Sequence, residues 1–427
     1  MPPEGNEAAG RSPRRPPVVV LAPGNFLAPL AVMRTLRPLG ARVHAPATRA
    51  MSIWKLSRHC ASLLQVGEDG APSRTDPEGT VGELLAAGRA LGGDAVLMPC
   101  SDEWALFVAR YADRLSQCFR FGRLDHELAR QLGDKHLLHS LATSRGVGTP
   151  ASVRPVDRAD AMGLAPTLEY PVVVKTATTR SAGNQLVVVA SPSDLVAAFD
   201  RLADPGNLIC QRFVRGGQAD GWLFNGYFDD QSRCIARFSG HKLRQWPAGL
   251  GITVLAEAKR NPEIEEIAIR FLSSIGYRGA VDLDFIRDSG DGEYKLLDFN
   301  PRLGGVFRLF VDRRGLDVAR AMYLDLIGEH VGQEGQCENR RLVHEAAYTV
   351  ATLKLLRAGQ TTPWAAVREL GGAEMGLFRL TDPIPFLVQM GGMIKVHGEA
   401  RLQRWFGHGR RRNTPVPGTV IGKTGPA

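Results

Sequence analysis

Residues 279–302, with the sequence GAVDLDFIRDSGDGEYKLLDFNPR, predict two β-strands joined by a turn. Apolar residues alternate with Asp282 and Asp284 in the first half, and the β-rich KLLDF segment follows the glycine-containing turn SGDGE. Because successive side chains point to opposite faces of a strand, Asp282 and Asp284 share one face, and Asp298 and Asn300 share a face of the second strand. If the two strands pair across the turn, these oxygen atoms converge on one patch of the sheet.

Two interpretations fit this acidic patch. Acidic side chains on the exposed face of a hairpin are commonly solvated surface. Carboxylates that lie close together also resist ionising together unless a cation lies between them, and oxygen ligands suit a hard ion such as Mg²⁺, whose shell substrate phosphates can complete. Arg302 follows the second strand directly, and its planar guanidinium suits phosphate or carboxylate.

The size and composition are those of an ordinary globular protein. A chain of 427 residues exceeds one compact core, so we expect two or three domains. Its hydrophobic content of 44% and charged content of 23% are typical of soluble proteins. No apolar run reaches the roughly eighteen residues that a membrane span needs, so no membrane partner is expected. Residues 1–17 lack the apolar stretch of a secretory signal and predict a disordered, proline-rich tail.

Cysteine usage and charge further limit the function classes. The six cysteines are scattered without a CxxC pair, which favours a reduced cytoplasmic protein over a disulfide framework or a zinc site. Of the formal charge of +9, residues 1–17 carry a net +1 and residues 397–427 a net +5, which leaves +3 between them. We interpret the GRRRN run at 409–413 as a solvated tail. Without a recognised nucleic-acid-binding module, we expect no nucleic acid partner.

The chain from Val18 predicts a βαβ unit, which opens a parallel sheet with helices on its faces. Gly24 lies in the turn after the first strand, where open α/β sheets bind ligands, although a tight turn explains it equally well. A predicted strand at 95–99 precedes the sequence CSDE. There Ser101 or Asp102 is expected to cap the next helix, with a substrate contact by Asp102 as the alternative.

Two lysines stand out in the next part of the chain. Lys135 opens a predicted helix that ends near Gly146, and Lys175 ends the apolar strand YPVVVK. Burying a charge at the end of an apolar run is costly unless it meets a partner, and phosphate oxygens supply one. The following loop, which includes Thr176 and Gly183, offers hydroxyls and backbone amides that can cradle phosphate.

The basic residues Lys242 and Arg244, with the neighbouring amide Gln245, precede the predicted strand GLGITVLAEA. Two interpretations are equally good here: the group holds an acidic substrate, or it protects a solvated strand edge. Later in the chain, we expect a turn at 304–305 and then helix through residue 327. The AAYTVATL segment is expected to be strand-like, and residues 400–405 are expected to be helical.

Several of these segments together resemble an ATP-grasp domain. Lys135, Lys175, the QRFV sequence at 211–214, Asp284 and the DFNPR end appear in the order and spacing of that superfamily, over roughly residues 130–310. The superfamily usually has Glu at position 298, often has Glu at 284 and 212, and has a phosphate loop richer in glycine. The VLMPCSDE segment and the βαβ unit before it are similar to the front domain of a subgroup described as predicted ATP-dependent carboligases, or carboxylate–amine ligases.

The resemblance implies an α/β fold, in which an N-terminal parallel-sheet pre-ATP-grasp domain is followed by a two-lobed α+β ATP-grasp domain. The implied boundaries are a tail at 1–17, a pre-ATP-grasp domain at 18–125, an ATP-grasp domain at 126–330, a C-terminal appendage at 331–400 and a basic tail at 401–427.

The resemblance also implies ATP and Mg²⁺ as cofactors, with Mn²⁺ as a substitute. The implied metal ligands are Asp284, Asp298 and Asn300, and the implied catalytic residues are Arg302, Lys242 and Arg244. The residues implied to bind the nucleotide are Lys135, Lys175, Thr176, Gly183, Gln211, Phe213, Val214 and Asp220. Among them Gln211, Phe213 and Val214 would use backbone groups, and Asp220 would meet the ribose unless it is an ordinary loop residue.

The reaction that the resemblance implies is ATP-dependent ligation of a small-molecule carboxylate to an amine, or to a thiol. The carboxylate would take the γ-phosphoryl group, and the second substrate would then displace phosphate, so that ADP and phosphate are released. Two alternatives stay open: a carboxylase of the same superfamily, which would phosphorylate bicarbonate, and a nucleotide-binding regulator without turnover. A homodimer is also left open.

Overall fold

The computed structural model of the protein describes residues 15–23, 27–48, 52–178, 186–202, 205–216, 220–247 and 251–392. Its strands are β1 (Val18–Leu21), β2 (Val43–Pro46), β3 (Cys60–Leu64), β4 (Ala95–Pro99), β5 (Phe119–Arg120), β6 (Ser152–Val153), β7 (Val172–Thr176), β8 (Leu186–Val189), β9 (Leu208–Arg212), β10 (Gly221–Phe228), β11 (Cys234–Trp246), β12 (Ile252–Ala258), β13 (Gly279–Arg287), β14 (Tyr294–Asn300), β15 (Arg341–Val343) and β16 (Ala373–Met375).

The helices of the same ranges are α1 (Leu27–Leu36), α2 (Pro77–Ala90), α3 (Asp102–Arg110), α4 (Ala112–Leu115), α5 (His126–Gly133), α6 (Lys135–Ser144), α7 (Arg158–Leu164), α8 (Pro192–Arg201), α9 (Pro262–Ser274), α10 (Val318–Leu326), α11 (Glu345–Arg357) and α12 (Pro363–Glu369). Residues 384–392 are helical as well. Among all described helices, none is both long and apolar enough to cross a membrane.

The N-terminal sheet is parallel, with the strand order β3-β2-β1-β4-β5. Its central strand β1 is buried along its whole length, because helices cover both faces of a parallel sheet. Val18 and Val20 pack in one core with α1, while Val19 and Leu21 pack in another with residues of α2 and α3. The predicted βαβ unit and the strand at 95–99 are therefore confirmed.

A small antiparallel sheet has the strand order β6-β9-β7-β8. Val172 and Val174 of β7 pack in a core with Leu195 and Phe199 of α8. Because side chains alternate along a strand, Lys175 lies on the opposite face of this sheet, away from α8.

The central sheet has the order β14-β13-β10-β11-β12-β15-β16, and its neighbouring strands are antiparallel except for β15 and β16. The alternation along β10 divides the two faces: Phe224 and Phe228 pack in a core with α9, and Leu223 and Tyr227 pack in a core with α1 and α10. Two strands of this sheet, β15 and β16, come from the segment predicted to be an appendage. The domain boundaries themselves stay a prediction.

Two predictions of secondary structure are wrong. After the turn at 304–305, the chain forms only a 3-10 turn at Phe307–Leu309 before α10 begins at Val318. The Asp312 carboxylate accepts the backbone N–H groups of Arg314 and Leu316, which stabilises a turn in place of the expected helix.

The AAYTVATL segment is the second error, because it lies within α11 and not in a strand. The buried residues Tyr348 and Ala351 are three positions apart and lie on one side of that helix. This burial outweighs the β-branched composition that favoured a strand. The predictions for residues 1–14, Gly24, Gly183, the helix at 400–405 and the basic tail lie outside the described residues.

Candidate active site

The hairpin of β13 and β14 forms as predicted, and its register places the acidic residues opposite one another. Asp284 pairs with Asp298, and Asp282 pairs with Asn300. Directly opposed residues in antiparallel strands project from the same face. The Asp284 and Asp298 side chains are 27% and 30% exposed, so they line an accessible face of the central sheet.

Two lysines from other elements contact these carboxylates. The Lys135 Nζ, at the start of α6, lies 3.0 Å from the Asp298 Oδ1. The Lys242 Nζ, on β11, lies 2.8 Å from the Asp284 Oδ1. Burial alone would raise the pKa of Asp298, but the charges of Lys135 and Lys175 hold that pKa below its ordinary value.

Lys175 is a third lysine beside this cluster, and its side chain is partly buried. Burial, followed by repulsion from Lys135, lowers the pKa of Lys175 to about 8, against the opposing attraction of Asp298 and Asp284. The backbone N–H of Lys135 donates to the Ala177 carbonyl at 2.9 Å, which brings the start of α6 to the end of β7. Three lysines thus surround two carboxylates, and the surplus positive charge suits an anionic ligand such as a polyphosphate.

Arg302 joins the hairpin to the N-terminal sheet. Its Nε donates to the Asp102 Oδ1 at 3.1 Å, and its Nη2 donates to the Asn300 Oδ1 at 2.9 Å. Burial disfavours the guanidinium charge, but Asp102, Asp282 and Asp298 raise the pKa of Arg302 above its ordinary value. The helix cap of α3 is Ser101, one of the two predicted caps. Asp102 pairs with Arg302, and its substrate contact stays a prediction.

Asp282 is buried beside the opposed pair, two residues earlier on β13. The Asn225 Nδ2 donates to its Oδ1 at 2.9 Å, and burial, followed by repulsion from Asp284, raises the pKa of Asp282 to about 7. Gly304 approaches closely here, since a Cβ at that position would lie 2.0 Å from the Asp282 Oδ2. A side chain at position 304 would therefore displace the carboxylate.

The segment predicted to be the nucleotide hinge follows β9. The Phe213 N–H donates to the Pro171 carbonyl at 3.2 Å, and Val214 is buried. The side chain of Gln211 is buried as well, and its Nε2 lies 3.1 Å from the His139 Nδ1. Asp220 lies directly before β10, and Thr176 ends β7 with its side chain buried.

Sequence reasoning missed His139, which lies one helical turn after Lys135 and is 3% exposed. Burial, followed by the charge of Lys175, lowers the pKa of His139 to about 3, so its imidazole is neutral. The available signal was its spacing, because residues four apart in a helix share a face.

Arg244 is bound by the C-terminal helices. Its Nη1 lies 2.8 Å from the Glu369 Oε2 of α12, and its guanidinium lies 4.9 Å from the ring centroid of Tyr348. Both Lys242 and Arg244 are buried on β11, a strand between β10 and β12, so the solvated-edge interpretation is wrong. The structure brings Lys242 to the hairpin, while the contacts of Arg244 are made with a segment for which no chemistry was predicted.

The residues present fit a magnesium ion in type. Asp284 and Asp298 offer two carboxylates on one face, and Mg²⁺ is commonly held by one or two carboxylates together with substrate phosphates and water. The Asn300 Oδ1 accepts from Arg302, which ties this third predicted ligand to the guanidinium. Within the described ranges, no group of three or more His, Cys, Asp and Glu side chains is arranged to hold a metal ion.

Comparisons with known proteins give one curated relative and many similar structures. No protein-family model matches the chain. The D-aspartate ligase of Enterococcus faecium (strain Aus0004) is 25% identical over 247 residues, which is 54% of this chain and 58% of that relative. The chain thus matches less than two thirds of the relative's length.

Among solved structures, the ADP complex of an N5-carboxyaminoimidazole ribonucleotide synthetase has a TM-score of 0.62 at 12% identity, covering 81% of this chain and 85% of that chain. A second similar structure is the biotin carboxylase domain of Hydrogenobacter thermophilus 2-oxoglutarate carboxylase, in complex with MgADP, ADP and bicarbonate. It has a TM-score of 0.57 at 17% identity, and the match covers 76% of this chain and 73% of that chain. At these identities the likeness shows a shared fold.

Proposed function

We propose that the chain is an ATP-dependent ligase of the ATP-grasp superfamily, which joins a carboxylate to an amine through an acyl phosphate. One observation carries this proposal. Lys135 of α6, Lys175 of β7 and Lys242 of β11 lie around the opposed carboxylates Asp284 and Asp298. Lys242 is buried, and Lys135 and Lys175 are partly buried. Such a cluster matches the terminal phosphates of ATP and an accompanying cation.

In this proposal the lysines bind the nucleotide phosphates. Lys135 and Lys242 exchange their carboxylate partners for phosphate oxygens, and Lys175 gains the anionic partner that its burial calls for. Mg²⁺, held by Asp284 and Asp298, would neutralise charge on the β- and γ-phosphates. The backbone around Phe213 and Val214 faces the adenine, and Asp220 faces the ribose.

The reaction has two steps. An oxygen of the substrate carboxylate attacks the γ-phosphorus, and the bond from that phosphorus to the ADP oxygen breaks. Arg302, a buried guanidinium at the end of the hairpin, stabilises the charge on the transferred group. The amine nitrogen then attacks the acyl carbon, phosphate leaves, and the nitrogen loses a proton to solvent. A thiol acceptor would follow the same course.

The choice of candidate substrates follows the curated relative. Because that protein is named D-aspartate ligase, amino acids, with D-aspartate first, are the carboxylates and amines to test. The experiment incubates the protein with MgATP and a panel of acids and amines, and separates the nucleotides by chromatography. Hydroxylamine replaces the amine in parallel reactions, because it converts an activated carboxylate into a hydroxamate.

We expect ADP, phosphate and a hydroxamate with at least one acid. AMP and pyrophosphate would contradict the proposal, because they arise from attack at the α-phosphorus. ADP that forms only with bicarbonate would favour the carboxylase alternative, which performs the same first step on a different acid. ATP consumption that no acid or amine accelerates would favour the regulator.

A further inference from the structure

Asp102 reaches from the N-terminal sheet towards the proposed site. It is the first residue of α3 and follows the carboxyl end of β4 closely. The cap of that helix is Ser101, whose Oγ accepts the Trp104 N–H at 3.3 Å. The Asp102 carboxylate therefore serves another purpose, and it accepts from the Arg302 Nε at 3.1 Å.

The Arg302 guanidinium is held by groups from two different parts of the molecule. Its Nη2 donates to Asn300 at 2.9 Å, and its Nη1 lies 3.9 Å from the Asp282 Oδ2, both on the hairpin. Asp102 supplies the contact from outside the hairpin. Because the Arg302 side chain is only 16% exposed, these neighbours define the direction in which the planar group points.

The backbone supports the same arrangement. The Leu303 N–H is directed at the Pro99 carbonyl at 3.4 Å, which places the end of β4 beside the residue that follows Arg302. Burial by itself would lower the pKa of Lys135. The charges of Asp298 and, more weakly, Asp102 outweigh it and raise that pKa above its ordinary value. Asp102 therefore lies at the margin of the lysine–carboxylate cluster, and its charge acts on two cations of the site.

Building on the proposed function, we propose that Asp102 is a positioning residue for phosphoryl transfer. It holds the Nε edge of Arg302, so that the Nη edge faces the hairpin and the oxygens of the transferred phosphoryl group. Asp102 acts through Arg302 and needs no contact with the substrate. The N-terminal sheet would then complete the reaction centre of the central sheet, in addition to any part it has in binding a substrate.

Three variants separate this role from general destabilisation. Asp102→Ala removes the acceptor, Asp102→Asn keeps an Oδ1 that can still accept from Nε, and Glu103→Ala removes the neighbouring carboxylate. Glu103 is a matched control, because it lies in the same helical turn and pairs with the exposed Arg74 at 2.7 Å. Thermal unfolding of each variant checks that it is folded.

We expect Asp102→Ala to lower kcat by roughly 10- to 100-fold, the effect of a misplaced catalytic group, while KM for ATP changes by less than about twofold. Asp102→Asn should retain most of the turnover, and Glu103→Ala should match the wild type. An unchanged kcat in Asp102→Ala, or an equal loss in Glu103→Ala, would overturn the proposal.

A double-mutant cycle tests whether Asp102 acts through Arg302. Lysine at position 302 has no Nε–H edge, so adding Asp102→Ala to Arg302→Lys should lower kcat by less than about twofold further. A full additional loss in the double variant would show that Asp102 acts independently of Arg302, and would refute the positioning role.

The position of the Arg302 side chain can be measured even if the proposed function is wrong. If the wild-type protein released no ADP with any acid, crystal structures of the wild type and of Asp102→Ala would decide the matter. An Arg302 guanidinium that leaves Asn300 when Asp102 is removed supports positioning. A guanidinium that keeps its place without Asp102 refutes it.

Discussion

The surroundings of Lys175 disfavour its charge, since burial and the neighbouring charge of Lys135 lower its pKa to about 8. We predict that Lys175→Met weakens ATP binding by roughly 10- to 100-fold, the worth of a hydrogen bond to a charged group, and AMP binding far less. Its partner should be a terminal phosphate, which AMP lacks. Calorimetric titration with both nucleotides measures this, and equal losses for ATP and AMP would place Lys175 elsewhere.

The same lysine predicts a pH dependence of ATP binding. A lysine with a pKa of about 8 is protonated below that pH and neutral above it. ATP affinity in the wild type should therefore fall by roughly tenfold between pH 7.5 and pH 9, while Lys175→Met should show a much flatter profile over this range. Identical profiles for the two proteins would assign the titration to another group.

The third prediction concerns Asp284 and Asp298, which we expect to be required for the Mg²⁺-dependent reaction. Asp284→Asn and Asp298→Asn should each lose most of the Mg²⁺-dependent turnover while remaining folded, because a neutral amide is a weaker ligand for a hard cation. Asp291→Asn is the matched control, since Asp291 belongs to the turn of the same hairpin and is 45% exposed. Turnover is measured across a Mg²⁺ titration, with circular dichroism to check folding. Near-normal rates in both variants would refute the metal assignment.

At the scale of elements, contacts of Asp382 hold the segment around it, in the C-terminal part of the chain, against α1. The Asp382 side chain is 2% exposed and accepts from the Arg34 Nε at 3.1 Å, the Ser57 Oγ at 2.8 Å and the Arg58 N–H at 3.1 Å. We predict that Asp382→Ala destabilises this region by about 3–5 kcal/mol, because Arg34, whose side chain is 9% exposed, loses its carboxylate partner.

Limited trypsin digestion measures this effect better than global unfolding, since a chain with several cores need not unfold in two states. Cleavage after Arg379, which is 44% exposed, should be faster in Asp382→Ala than in the wild type. Asp200→Ala is the control, because Asp200 is 48% exposed in its pair with Arg158, and such pairs contribute about 1 kcal/mol or less. Equal cleavage rates in all three proteins would show that the Asp382 cluster does not hold this segment.

The elements that the sequence predicted correctly are those with a local pattern. Strict alternation and a glycine turn predict the β13–β14 hairpin and the shared face of its acidic residues, while their register required the structure. An apolar run predicts β7 and its lysine. The AAYTVATL segment misled because Val and Thr favour strands, whereas burial of one face favoured α11.

The contacts that sequence reasoning missed join distant positions. Asp102 and Arg302 are 200 positions apart, and Arg244 and Glu369 are 125 apart. Local sequence periodicity does not predict which elements pack together when they are so far apart in the sequence. The composition of the lysine cluster was therefore predictable from motifs, while the partners that orient Arg302 and Arg244 required the structure.

At the scale of the whole molecule, the proposed site is assembled from three sheets. Asp102 comes from α3, directly after β4 of the N-terminal sheet, Lys175 comes from the small sheet, and Lys242 with the acidic hairpin comes from the central sheet. Lys135 at the start of α6 connects the small and central sheets, through its backbone contact with Ala177 and its ion pair with Asp298. Any relative movement of the sheets would therefore change the distances between the charged groups of the site.

The reaction proposed for this site predicts which product receives an oxygen atom of the substrate carboxylate. If a carboxylate attacks the γ-phosphorus, the phosphate released later keeps one oxygen of that carboxylate. A carboxylate labelled with ¹⁸O should therefore transfer one label to inorganic phosphate in each turnover, and none to ADP. Mass spectrometry of the phosphate measures this. Label in AMP would indicate an adenylate, and unlabelled phosphate would indicate hydrolysis of ATP by water, as expected of a regulator with residual ATPase activity.

Labelled bicarbonate serves as the matched control reaction. If bicarbonate alone labels the phosphate, the chain is a carboxylase, whereas label from an amino acid supports the ligase.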